Sequence, residues 1–186
     1  MRAKQKPHAP RRTLSIDSQS VDTTSGGERR GRDNAKNVDG RKRHILVDSM
    51  GLLLAVLVTA ANVDDATAAA EPFGRLDGQP VSKVRRVFAD GKYHNFALYE
   101  WVEQNADWEL EIVRRPEGAK GWVRLPIRWT VERTFAWFGK CRRLTKDREK
   151  SVRSPEAFVK LAMIHMMLNR LKPKCDDATF GYRKAA

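Results

Sequence analysis

Cysteine is scarce in this 186-residue chain. The two present are Cys141, in an aromatic-rich stretch that reads as helical, and Cys175, in a polar tail. Two thiols so placed provide no disulfide framework and no metal-ligand spacing. His44, His94 and His165 do not complete one, which argues against zinc. A long apolar run is also missing. The longest, Leu52 to Ala61, is well short of the roughly 20 residues that a membrane helix needs. The basic start MRAKQKPHAPRR has no apolar signal-peptide core behind it. These absences predict a protein kept in the cytoplasm, with no membrane partner. Acids are in deficit: 23 Asp+Glu stand against 36 Lys+Arg, for a formal net charge of +13. A surplus of that size favours a polyanionic partner, most commonly nucleic acid.

What is present is enough apolar sequence, 41% of residues, for one ordinary core. Residues 1–12 read as a basic flexible arm, 13–172 as the folded domain and 173–186 as a loose tail. Thr13 to Asp17 (TLSID) is a strand candidate, followed by a Gly-containing polar loop over Ser18 to Asp39. Arg41 to Asp48 reads as a strand emerging from a basic turn, and Asp48-Ser-Met-Gly51 as a hairpin turn. Leu52 to Ala60 is nearly continuous in apolar residues, as a strand covered on both faces should be. Asp64 to Glu71 predicts a short helix, with Asp64 and Asp65 at its start, and Pro72 to Pro80 a loop. Val84 to Asp90 reads as a fourth strand, His94 to Gln104 as a helix and Glu109 to Val113 as a fifth strand. Arg114 to Leu125 reads as a loop. A helix is expected from Pro126 to about Arg143. The last helix begins at Ser154-Pro-Glu156, with Phe158, Leu161, Ile164, His165 and Leu168 at helical spacing, and ends at Pro173. The order predicts an α/β protein with a mixed five-stranded sheet flanked by helices.

Three acids stand out by context. Asp17 lies inside or at the end of an apolar strand, Asp90 ends VRRVFAD before Gly91, and Glu132 lies within the aromatic helix PIRWTVERTFAWFG. A lone carboxylate in apolar surroundings is costly unless a cation or hydrogen bonds compensate it. Each also has an ordinary explanation. Asp17 could cap a helix or sit in a loop, Asp90 could mark a turn, and Glu132 could pair with Arg128 at i−4 or with Arg133. Separately these explanations suffice; the wider context raises the three together.

The segments SIDSQSV (15–21), GRKRHILVDSMGLLLAVLVTAANVDD (40–65), FADGKY (88–93) and RWTVERTFAW (128–137) resemble, in this order, the catalytic half of DDE-type bacterial insertion-sequence transposases. The resemblance extends over residues 13 to 172. It implies an RNase H-like fold, with the first Asp on the first strand, the second just after the fourth, and the Glu on a late helix. Carried over, these are Asp17, Asp90 and Glu132. They would hold Mg²⁺ or Mn²⁺, since hard divalent cations prefer carboxylate oxygens, and serve DNA cleavage and strand transfer. Arg128 matches the family's Arg four before the Glu. Leu125 stands where the family shows Tyr, and Lys140 is one place beyond the family's Lys, at Gly139. Arg128, Arg133, Lys140, Arg142, Arg143 and Lys146 form a basic set suited to DNA phosphates. A homodimer, or assembly with an upstream-frame product, would follow by resemblance. Only about a dozen basic residues precede the first strand, where relatives carry an end-recognition domain. The alternative reading is therefore an inactive truncated remnant that binds DNA non-specifically.

Overall fold

The structure, a computed structural model, describes residues 13–24, 26–76, 84–114, 118 and 128–172. The basic arm, the tail, most of the loop expected before Leu125 and the helix start at Pro126 lie outside those residues. Six strands form one sheet: β1 (Thr13–Asp22), β2 (Gly31–Asp33), β3 (Val38–Asp48), β4 (Leu53–Ala60), β5 (Arg86–Ala89) and β6 (Glu109–Ile112). The helices are α1 (Asp65–Gly74), α2 (Phe96–Asn105), α3 (Arg128–Gly139), α4 (Arg142–Thr145) and α5 (Arg153–Leu171). The five expected strands lie in the order β4-β3-β1-β5-β6, with β2 beside β4 on the same edge of β3. β1 is antiparallel to β3 and parallel to β5, and β5 is parallel to β6. The mixed sheet flanked by helices is therefore present, with β2 as an additional short strand.

Strand side chains alternate between the two faces of a sheet, and that alternation divides the core in two. Leu14, Ile16, Leu46 and Ala55 pack with Ala66, Ala69 and Phe73 of α1 and Leu98 and Val102 of α2. Ile45, Val47 and Val56 pack on the other face with Val131, Phe135 and Phe138 of α3 and Val159, Ala162 and Met163 of α5. This is why β3 and β4 read as near-continuous apolar runs.

Four expectations need correction. The polar stretch after Asp17 is not loop throughout: β1 continues to Asp22 because Ser18 to Asp22 pair with His44 back to Gly40. Ser20 then anchors β2's end, donating to Asp33 Oδ2 at 2.6 Å. Helix α1 runs past Pro72 to Gly74, and the proline is buried in the last turn, where its missing N–H affects one terminal bond. The helix expected to reach Arg143 stops at Gly139, and α4 starts afresh at Arg142. Finally, Leu161, Ile164 and Leu168 face outward from α5, while Val159, Ala162 and Met163 face the core.

The largest surprise is at RKRH. These residues lie inside β3, and Arg41 and Arg43 are each 1% exposed. Arg41 reaches Asp147 Oδ2 at 3.1 Å and also donates to the carbonyls of Glu28, Glu149 and Lys150. Arg43 Nη1 donates to the Leu144 carbonyl at 2.7 Å. Gly27, at φ +112°, lets the 28 segment approach this guanidinium; a β-carbon there would press on Arg41 and on two backbone carbonyls. The predicted consequence concerns stability. Arg41→Met leaves a buried carboxylate and three carbonyls without their donor, and urea unfolding should show a loss of about 3–5 kcal/mol. Arg30→Met, which breaks the exposed Arg30–Asp39 pair, should lose less than about 1 kcal/mol. Equal losses would remove Arg41 from its structural role.

Candidate active site

Asp17 lies in the middle of β1, on the face opposite the buried side chains of Leu14 and Ile16. Asp90 follows β5 directly and caps a short 3₁₀ turn, Gly91–Tyr93. Glu132 lies one turn into α3, four residues after Arg128. β1 and β5 are adjacent and parallel, and α3 packs over that side of the sheet, so three distant carboxylates reach one place. They meet round Arg128. Its Nη2 lies 3.9 Å from Asp17 Oδ2, 3.6 Å from Asp90 Oδ2 and 3.5 Å from Glu132 Oε1. No two of these oxygens can be further apart than twice the longest of those distances.

Each aspartate presents one oxygen to the centre because the other is engaged. Asp17 Oδ1 accepts from the Ser18 N–H at 2.7 Å, and Asp90 Oδ1 accepts from the Lys92 N–H at 2.9 Å. The ordinary explanations for Asp90 and Glu132 thus hold alongside the shared centre: Asp90 is a turn cap, and Glu132 does pair with Arg128. The aromatic setting of Glu132 is milder than the sequence implies, since its side chain is 50% exposed at the rim. Asp17 and Arg128 are deeper, at 17% and 16%. Arg128 Nε is buried with no hydrogen-bond partner among the described residues.

Burial raises the Asp17 pKa to about 6. Asp90's charge adds to the rise; the Ser18 N–H and Arg128 oppose it without cancelling it. Tyr93 is fully buried in the core with Leu14 and Ile16, and burial, with the charges of Asp17, Asp65 and Asp90, holds its phenol protonated. Its hydroxyl neighbours Ser18, but not at ordinary hydrogen-bond geometry. Asp65 starts α1 as expected, and its side chain also turns inward. It takes Lys42 Nζ at 3.0 Å and the Ser18 hydroxyl at 2.8 Å. Asp64 caps α1 as expected, and Asp48 closes the hairpin turn through the Met50 N–H.

Among the described residues no three His, Cys, Asp or Glu side chains stand close enough to hold a metal ion as placed. The donor set nevertheless suits a hard divalent cation, being three carboxylates with oxygens directed inward. A guanidinium already stands among them as a stand-in cation. It does not fully offset the burial of Asp17.

The expected phosphate contacts divide. Arg133 is layered between Trp129 and Trp137, at 4.4 and 4.7 Å from their ring centres, and donates to the Met50 carbonyl. It braces α3 against the hairpin turn. Lys140 is exposed beyond the end of α3. Arg142, Arg143 and Lys146 line a cleft of about 230 Å³ with Thr145 and Arg148. Sequence reasoning missed Arg148, although the run RRLTKDR carries it. Arg143 is partly engaged already, with Glu149 at 2.7 Å and over the Phe158 ring.

The Asp17 shift fixes a pH dependence. A carboxyl whose folded pKa is raised keeps its proton longer in the native state. Its contribution is therefore largest below the unfolded value of 3.8 and is lost as pH rises through about 6. His44 runs the other way: burial lowers it to about 4, so its contribution is present above 6.5 and is lost as pH falls through 4. Asp17→Asn keeps the shape without the charge. It should stabilise the protein by about 1–3 kcal/mol near pH 7 and leave it unchanged near pH 4. Thermal denaturation at the two pH values tests this; no gain near neutrality would mean that the buried charge is already compensated.

The chain is 33% identical over 139 residues to a putative transposase for insertion sequence element IS402 from Burkholderia cepacia. The match takes in 72% of this chain and 65% of that protein's length. Among solved structures, the catalytic core domain of bovine immunodeficiency virus integrase aligns over 89% of this chain and 88% of its own, at TM-score 0.45 and 14% identity. A Mos1 transposase paired-end complex with the left transposon end aligns over 59% of this chain and 37% of that one, at TM-score 0.36 and 14% identity. Residues 8–167 match the family described as transposase DDE domain, and the chain belongs to that family.

Proposed function

We propose that this chain carries the catalytic centre of an insertion-sequence transposase, with Asp17, Asp90 and Glu132 holding Mg²⁺ or Mn²⁺ for DNA strand cleavage and strand transfer. The observation that supports this most directly is the meeting of three carboxylates, from β1, the end of β5 and α3, round a single guanidinium. A divalent cation held there would activate the attacking oxygen and stabilise charge on the transferring phosphoryl group.

The protein's own groups supply the remaining work. The Ser18 and Lys92 N–H groups orient the two aspartates so that Oδ2 of each faces the centre. Tyr93, packed in the core with Leu14 and Ile16 on the other face of the sheet, stays uncharged. Arg128 partly offsets the acids' charge while the centre is without metal, and it would be free to take a DNA phosphate if a divalent cation took over that role. Lys140, Arg142, Lys146 and Arg148 offer phosphate contacts beyond the far end of α3 from Arg128. The DNA partners in this reading are the element's ends and the target, with the ends brought together in a dimer or a larger assembly.

The test uses supercoiled DNA carrying the gene with its flanking terminal repeats. With Mn²⁺ the parent chain should nick at the repeat ends, and Asp17→Ala, Asp90→Ala and Glu132→Ala should each reduce nicking to background while remaining folded. Arg128→Ala should lower the melting temperature in the absence of metal, because three carboxylates lose their counter-charge, and Mn²⁺ should restore it. A chain that neither nicks nor gains stability with Mn²⁺ would instead fit the inactive remnant.

A further inference from the structure

Helix α5 presents two different apolar faces. One is in the core. The other carries Leu161, Ile164, Leu168 and Leu171 outward, at 57%, 51%, 57% and 44% exposure. Their spacing of three, four and three residues is that of the a and d positions of a coiled coil, over about one and a half heptads. A scattered exposed leucine needs no explanation, but a continuous stripe on one helix marks an interaction surface. Its regular spacing fits a second helix lying along it.

Charge selects the occupant. With Leu161 as an a position, the flanking e and g positions on the helix are Lys160, His165 and Met167, and Lys172 follows as the C-cap. His165 carries no negative charge in either protonation state. The single acid of α5, Glu156, is turned away: it accepts from the Val58 N–H at 3.1 Å and pairs with Arg75 at 3.2 Å. A second copy of α5, parallel or antiparallel, would set these flanks against one another with no acid opposite them. We infer that the outward stripe of α5 is a docking surface for an amphipathic helix of another protein, with leucine-type residues on its seam and Glu or Asp on its flanks.

The probe is a fluorescein-labelled synthetic peptide of three heptads, with Leu at a and d and Glu at e and g, titrated against the full chain by anisotropy. A matched peptide has Lys at e and g. The acidic peptide should bind one-to-one, and the lysine peptide at least about tenfold more weakly. The double variant Leu161→Ser/Leu168→Ser, at exposed positions, should melt with the parent and lose acidic-peptide binding. The double variant Lys160→Glu/Lys172→Glu should reverse the preference between the peptides. Acidic-peptide binding that survives the serine variant would overturn the proposal, because charge on some other surface would then explain it. Absence of acidic-peptide binding overturns it too. So does a sedimenting dimer that the serine variant dissociates, which would make a second copy the occupant.

Discussion

Carboxylates from three separate elements stay together only if something opposes their repulsion. Here that is one guanidinium, Arg128, within 3.9 Å of an oxygen from each. The constraint reaches well beyond the side chains. Parallel pairing of β1 with β5 sets two of the acids side by side. The packing of Val131, Phe135 and Phe138 against Ile45, Val47 and Val56 then fixes where α3 crosses the sheet, and with it Arg128 and Glu132. Arg133, donating to the Met50 carbonyl, ties α3 to the hairpin turn. The repulsion is restrained rather than removed, and the raised pKa of Asp17 registers what remains.

Much of this was legible in the residues themselves. Apolar alternation and turn chemistry located β3, β4, β5 and β6 to within a few residues, because those signals are local. The places of Asp17, Asp90 and Glu132 on their elements were also as expected. What the sequence could not carry was pairing. Ser18 to Asp22 reads as polar loop and becomes strand because β3 supplies a ladder beside it. Lys42 and Arg43 read as surface charge, yet Asp65 and the Leu144 carbonyl meet them inside the fold. The helical spacing along α5 was visible, but which of its two apolar sides faces the sheet depends on what packs there.

The basic surplus also resolves into distinct tasks once partners are known. Arg41 and Arg43 are internal ties, Arg133 is a brace and Arg128 is a counter-charge. The +13 total therefore overstates the charge available to a polyanion. One exposed group lies where α3 gives way to α4: Gly139 stops the first helix, and the restart at Arg142 turns a run of cations into the lining of one cleft.

The tie from Arg41 to Asp147 spans 106 positions of chain. Three of its remaining bonds go to carbonyls at Glu28, Glu149 and Lys150, so most of its partners come from the last quarter of the sequence. During synthesis, β1 and β3 can pair early and the Glu28 carbonyl can take Arg41, but its carboxylate partner is missing until Asp147 has left the ribosome. The strands are complete by Ile112, yet a chain cut short before Asp147 would keep a buried cation without its carboxylate.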